Sequence, residues 1–337
     1  MTAASGVSRA DVNHARYRAD QTAGHYESFF QRANHPSRPL AFWIRYTLFS
    51  PAQRPADALG ELWAIYFDGE SKRHVAAKQE VPIAQCTFNT SNFFVAIADA
   101  RLQPGTLNGS ISAAHRLTWD LSFRGDAAPV FLLPQRLYGA RLPRAKSLVG
   151  VPMAVYRGAL WVDGVRVEVN DWVGSQNHNW GSRHTDYYAW GQVAGFDNAP
   201  DSFLEVATAK LKIGPCWTPF MTPLVLCHRG EELALNDLRQ TIRARAALRY
   251  FEWTFSSATD AVRVDGRIAA PADTFVGLRY YNPPGGTKQC LNSKIAACEV
   301  RVTRQGNAAA PEVLSTQHRA AFEILTDDTT HGVAIQA

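Results

Sequence analysis

The chain has 337 residues, 46% of them apolar and 19% charged, and a formal net charge of +5. That length suits two domains better than one and leaves room for sizeable cores. The arginines are dispersed with no run of five basic residues, and no stretch reaches the about 18 uninterrupted apolar residues of a membrane-spanning helix, so neither nucleic-acid binding nor a transmembrane segment is expected.

Residues 1–37 are polar and mixed, and read as an N-terminal extension. The opening MTAASGVSRADVNHARYRAD lacks the apolar core of a signal peptide, which points to a cytoplasmic protein. From Leu40 the pattern turns to β. LAFWIRYTLFS, ELWAIYFD, FFVAIADARL, RLTWDLSF, ALWVDGVRVEV, FLEVATAKLKI, FEWTFS, AVRVDGRIAA and AAFEIL are short runs rich in aromatic and β-branched residues. In RLTWDLSF, Leu117, Trp119, Leu121 and Phe123 share one face, the period of a half-buried antiparallel strand. Asp163-Gly164 and Asp265-Gly266 each read as a two-residue hairpin turn, because both residue types tolerate positive φ. ELALNDLRQTIRARAALRYF has some helical spacing and can also be read as a hairpin. NPPGGTK reads as a turn, since the phosphate-loop spacing is absent. Cys86, Cys216, Cys227, Cys290 and Cys298 are odd in number and lack CxxC spacing, so reduced thiols are expected in place of a disulfide framework or zinc site.

Three pairs of segments echo one another: 115–123 with 248–256, 156–162 with 318–325, and 62–68 with 189–197. Their order is the same in both halves, which predicts two copies of one β-domain. The expected fold is all-β, with an antiparallel barrel over 38–183 and a second over 184–337. Barrels of the up-and-down type can close around one small ligand.

The least ordinary stretch is QNHNWGSRHTDYYAWGQVAGF, residues 176–196, at the junction of the two copies. Pockets with a few convergent polar groups favour such junctions. Trp172, Trp180 and Trp190 would supply flat walls, and a tryptophan face can also stabilise a cation. Asn177, Asn179 and Gln192 would supply neutral hydrogen-bond groups, and Tyr188 lies among them. His178 and Asp186 are the candidate proton donors; a carboxyl kept neutral in an apolar pocket is the stronger acid, which favours Asp186. His178, His184 and Asp186 are spaced by six and two, which fits no standard zinc pattern, so no metal and no cofactor is expected.

Asn179-Trp180-Gly181 followed by Trp190, Gln192 and Phe196 resembles the signature of tocopherol cyclases and their bacterial relatives. GALWVDGVRVEVNDWVG followed by HNWG is similar to the tandem lipocalin-like proteins that include the carotenoid hydratase hydroxyneurosporene synthase and fungal lipocalin-like Diels–Alderases. The likeness is sharp over about residues 155–197. It implies two lipocalin-like barrels side by side with a hydrophobic substrate near their interface, and alkene chemistry without a redox cofactor. Where the family leads one to expect a carboxylate, this chain has Asn177, and an amide is no Brønsted acid near neutral pH. The expected function is a cofactor-independent cyclase, hydratase or isomerase of a hydrophobic isoprenoid- or polyketide-like alkene. A non-catalytic carrier of an isoprenoid or lipid is the alternative, and carbohydrate binding on exposed aromatics a third.

Overall fold

A computed structural model describes residues 11–306 and 310–337. It is all-β, built on two large antiparallel sheets of the same topology. In the first, His25–Asn34 lies between Leu40–Ser50 and Val165–Gly181; Leu59–Asp68 and Arg73–Pro82 continue one flank, Ala145–Val162 and Arg116–Arg124 the other. In the second, Tyr187–Phe196 lies between Ala199–Lys210 and Glu312–Thr326; Leu224–His228 and Glu231–Leu235 continue one flank, Thr287–Arg304 and Val262–Ala269 the other. The first sheet curls into a nearly closed barrel, its Arg73–Pro82 edge approaching Thr106–Ser112. Among the described residues no helix is long and apolar enough to cross a membrane.

The duplication is therefore one of topology, and it does not align the segments whose sequences echo one another. Residues 62–68 occupy the position matched by Leu224–His228, not by 189–197, and Arg116–Arg124 is matched by Val262–Ala269, not by 248–256. Alternating aromatic strands resemble one another whatever their place in a sheet. The reading of residues 1–37 as an extension is also corrected, because His25–Asn34 pairs along its length with strands on both sides. Its sequence HYESFFQRAN carries polar residues on both faces, which hid the alternation.

Asp163 and Gly164 both have positive φ, 50° and 85°, as the tight hairpin requires. Asp265-Gly266 instead lies inside the continuous strand Val262–Ala269. There Asp265 accepts hydrogen bonds from the Arg263 guanidinium, and a Cβ at Gly266 would sit 2.2 Å from the Phe255 ring, so close approach explains this glycine. The segment 232–251 falls across Glu231–Leu235, a short helix Leu238–Arg243 capped by the Asp237 side chain, and Arg245–Arg249.

Three of the apolar clusters frame the site. Phe42, Tyr46, Trp119 and Tyr156 fill the first barrel; Trp253, Val264 and Phe322 fill the second. The third lies where the sheets face each other and contains Phe30, Trp43, Trp63, Trp190, Leu278 and Tyr280. Leu40–Ser50 is buried at every position because Phe42, Ile44 and Tyr46 point into the barrel while Trp43, Arg45 and Thr47 point to the other sheet.

Candidate functional site: the layer between the two sheets

The first sheet contributes Arg32, Asn34, Trp43, Arg45, Ser175 and Asn177 to this layer, and the second Trp190, Gln192, Glu205, Tyr280, Lys294 and Glu323; the polar members are all buried. Such groups need partners, and most form one network. Gln192 and Glu205 stand opposite each other on neighbouring strands, and Gln192 Nε2 donates to Glu205 Oε2 at 2.8 Å. Trp190 Nε1 donates to the other carboxylate oxygen at 2.8 Å. Gln192 Nε2 also reaches Asn177 Oδ1 at 2.8 Å, while its carbonyl oxygen accepts from Ser175 Oγ at 2.6 Å and from Arg32 at 3.1 Å. The Arg32 guanidinium further donates to Asn34 Oδ1 and to the backbone oxygen of Arg319.

Burial pushes the Glu205 carboxyl up to about 7, against the hydrogen bonds from Trp190 and Gln192 and the charge of Arg32. It is thus poised between acid and carboxylate near neutral pH, the condition a general acid needs. Lys294 Nζ donates to Glu323 Oε1 at 2.7 Å and to Asn292, and lies 5.5 Å from the centre of the Trp190 ring and 5.7 Å from that of Trp43. The protein's own ammonium therefore already occupies faces of both indoles.

The residues singled out in sequence divide between this layer and other places. Trp190, Gln192 and Asn177 belong to the layer, and Tyr188 packs against its apolar body. Asn179 Oδ1 is buried without a partner among the described residues. Trp172 points the other way, stacked on Phe42 inside the first barrel. Trp180 packs with Val12, Tyr138 and Leu148 in a separate cluster under the N-terminal segment.

His178 and Asp186 are both engaged. His178 Nδ1 lies 2.6 Å from Val12 O and Nε2 2.8 Å from Glu27 Oε1. Glu27 in turn accepts from the backbone nitrogens of Arg16 and Tyr17 and faces His25. Burial would raise its carboxyl, but the hydrogen bonds and charges of His178 and His25 outweigh it and hold Glu27 at about 2. This cluster fastens the N-terminal segment. Asp186 accepts from Arg183 at 2.5 Å and from the Lys212 backbone at 2.9 Å, which anchors a loop. His184 stacks on Tyr26, and burial, with Arg45, pulls it down to about 3, so its ring is neutral. The three do not converge on one point.

Glu205, Arg32, Arg45, Lys294 and Glu323 escaped the sequence reading. The signal was present: a charged residue inside a run such as LAFWIRYTLFS or FLEVATAKLKI that is too apolar for a water-facing strand.

The two-sheet, lipocalin-like class is shared with solved structures. Kievitone hydratase from Nectria haematococca superposes with a TM-score of 0.58 at 10% identity, covering 92% of this chain and 90% of that one. CghA superposes with a TM-score of 0.54 at 12% identity, covering 90% of this chain and 88% of that one. In sequence the chain is 25% identical over 284 residues to uncharacterized proteins from two strains of Mycobacterium tuberculosis, 83% of this chain and 82% of theirs. No family model matches.

Proposed function

We propose that this chain is a cofactor-independent enzyme of the hydratase, cyclase or isomerase kind, acting on a hydrophobic, alkene-bearing small molecule of isoprenoid or polyketide type held between the two sheets. The observation that carries this reading is Glu205, a carboxyl held near 7 between Trp190 and Gln192. In its neutral form it gives its proton to an alkene carbon. Hydration is completed by a water that adds its hydroxide and returns a proton to the carboxylate; isomerisation is completed when the carboxylate takes a proton from a neighbouring carbon. Gln192 and Trp190 orient the carboxyl, and Ser175, Asn177 and Arg32 orient Gln192. One structural neighbour is named a hydratase, which agrees with this chemistry.

The test starts from an apolar metabolite extract incubated with the protein in D2O and read by mass spectrometry. A hydratase adds one D2O to its substrate, and an isomerase or cyclase leaves a carbon-bound deuterium. Glu205→Gln should abolish the change while the compound still binds. Binding without any mass change in the parent protein would favour the carrier reading instead.

A further inference from the structure

Arg45 sits in the facing layer, only 5% exposed, directly opposite Trp63 on the neighbouring strand. Among the described residues its side chain has one hydrogen-bond partner, the Ser28 hydroxyl, at 2.6 Å. No carboxylate among the described residues forms an ion pair with it. Glu61 and Glu323 act on it through space, but each is tied to a lysine of its own, Lys78 and Lys294, at 2.6 and 2.7 Å. The guanidinium lies 4.4 Å from the Tyr280 ring centre and 5.8 Å from that of Trp43.

The donors around it are also unpaired. Arg45 Nε, the indole nitrogens of Trp43 and Trp63 and the Tyr280 hydroxyl find no oxygen or nitrogen acceptor among the described residues, although the Cys290 thiol lies near the hydroxyl. Two other buried tryptophans differ: Trp119 donates to Tyr46 and Trp253 to Thr208, both at 3.0 Å. Buried donors left unpaired are uncommon, and three on neighbouring side chains, together with Arg45 Nε itself, describe a site short of an acceptor. Arg32 and Arg45 also bring positive charge into the layer with no ion pair among the described residues, which suits an anionic oxygen there. An open depression of about 340 Å³, lined by Lys78, Arg279 and Tyr281, lies beside it, with Lys78 over both Trp63 and Tyr281.

We infer that the ligand of the layer carries an anionic oxygen, a carboxylate or enolate, and that Arg45 holds it with the Tyr280 hydroxyl and the Trp43 and Trp63 indoles. The inference rests on the reading of the layer as a substrate site and narrows its substrate to an acidic one. An oxygen conjugated to the reacting alkene would gain or lose electron density as Glu205 moves its proton, and the guanidinium would stabilise the charged state.

The test compares cis-parinaric acid with its methyl ester, by fluorescence titration on the full chain at a pH where the acid is ionised. The acid should bind at least tenfold more tightly. Arg45→Met should bring the acid down to the ester's affinity and leave the ester unchanged, and Arg45→Lys should restore part of the difference. Tyr280→Phe, which removes only a hydroxyl without an oxygen or nitrogen partner, should lower the acid-to-ester ratio several-fold and serves if Arg45→Met fails to fold. Displacement by a 3-acyl tetronic acid, an enolate, against displacement by decanoate distinguishes the two oxygen types. Equal binding of acid and ester, or a ratio unchanged in the Arg45 and Tyr280 variants, overturns the inference and leaves the proposed reaction standing. Failure of acid and ester alike to bind overturns both. Glu205→Gln should stop turnover with the ratio intact, which keeps the two claims separable.

Discussion

Gln192 Nε2 bonds Glu205 Oε2 at 2.8 Å across a hairpin of the second sheet, and the same nitrogen bonds Asn177 of the first. One amide thus ties the raised carboxyl to the opposite sheet. Glu205 binds its proton more tightly folded, at about 7, than at the ordinary glutamate value of 4.5. Its contribution to stability is therefore fully present below about pH 4.5 and is lost as pH rises through about 7. Each pKa unit is worth about 1.4 kcal/mol, so the loss amounts to about 3 kcal/mol at most. Glu205→Gln should flatten this part of the stability–pH curve in urea titrations. A variant curve as steep as the parent's would mean that Glu205 does not titrate there.

Glu27 has the opposite sign. Its carboxyl is depressed to about 2, so its stabilisation is present above the ordinary glutamate value and is lost as pH falls toward 2. Glu27→Ala leaves His178, His25 and the Arg16 and Tyr17 amides without their acceptor. Breaking a buried pair costs about 3–5 kcal/mol. Proteolysis should then release the N-terminal segment first, and a variant as stable as the parent would refute the fastening role.

Trp180 and Trp190 should separate in their effects although both are buried. Trp180→Ala opens a space among Val12, Tyr138 and Leu148, away from the facing layer, and should cost about 3–5 kcal/mol with ligand affinity unchanged. Trp190→Ala also removes a donor to Glu205 and should lower both stability and ligand affinity. Equal losses of affinity in the two variants would place Trp180 in the site.

How much of this was legible in the sequence depends on which face of a strand a residue occupies. Trp190, Gln192 and Asn177 stood out because amides and indoles were crowded into one short stretch. Arg45 and Glu205 did not, because a single charge in an alternating strand reads as a solvent face, whereas here the second face meets another sheet. Trp180 was placed at the junction because it is close in sequence to Trp190, but its side chain points to the opposite side of the sheet from Asn177. The duplication was legible as a pattern and not as an alignment, since register between sheets leaves no mark on strands so alike.

Lys294 and Glu323 form a buried pair, so removing one member should hurt more than removing both. Lys294→Met leaves Glu323 with Asn292 and Cys290 as partners and should cost about 3–5 kcal/mol. Adding Glu323→Leu should recover much of that loss, as apolar replacements of buried pairs commonly do. Thermal melts of the single and double variants measure this, and additive losses would show that the two side chains do not act as a pair.

In the proposed reaction Glu205 supplies the proton. The measurement that tests it most directly is the pH dependence of deuterium incorporation in D2O, for the parent protein and Glu205→Gln, on the compound identified from the extract. The rate should be highest below about pH 7 and fall above it, following the titration of Glu205, with no incorporation by the variant. Incorporation by Glu205→Gln at the parent's rate and with the parent's pH profile would contradict it.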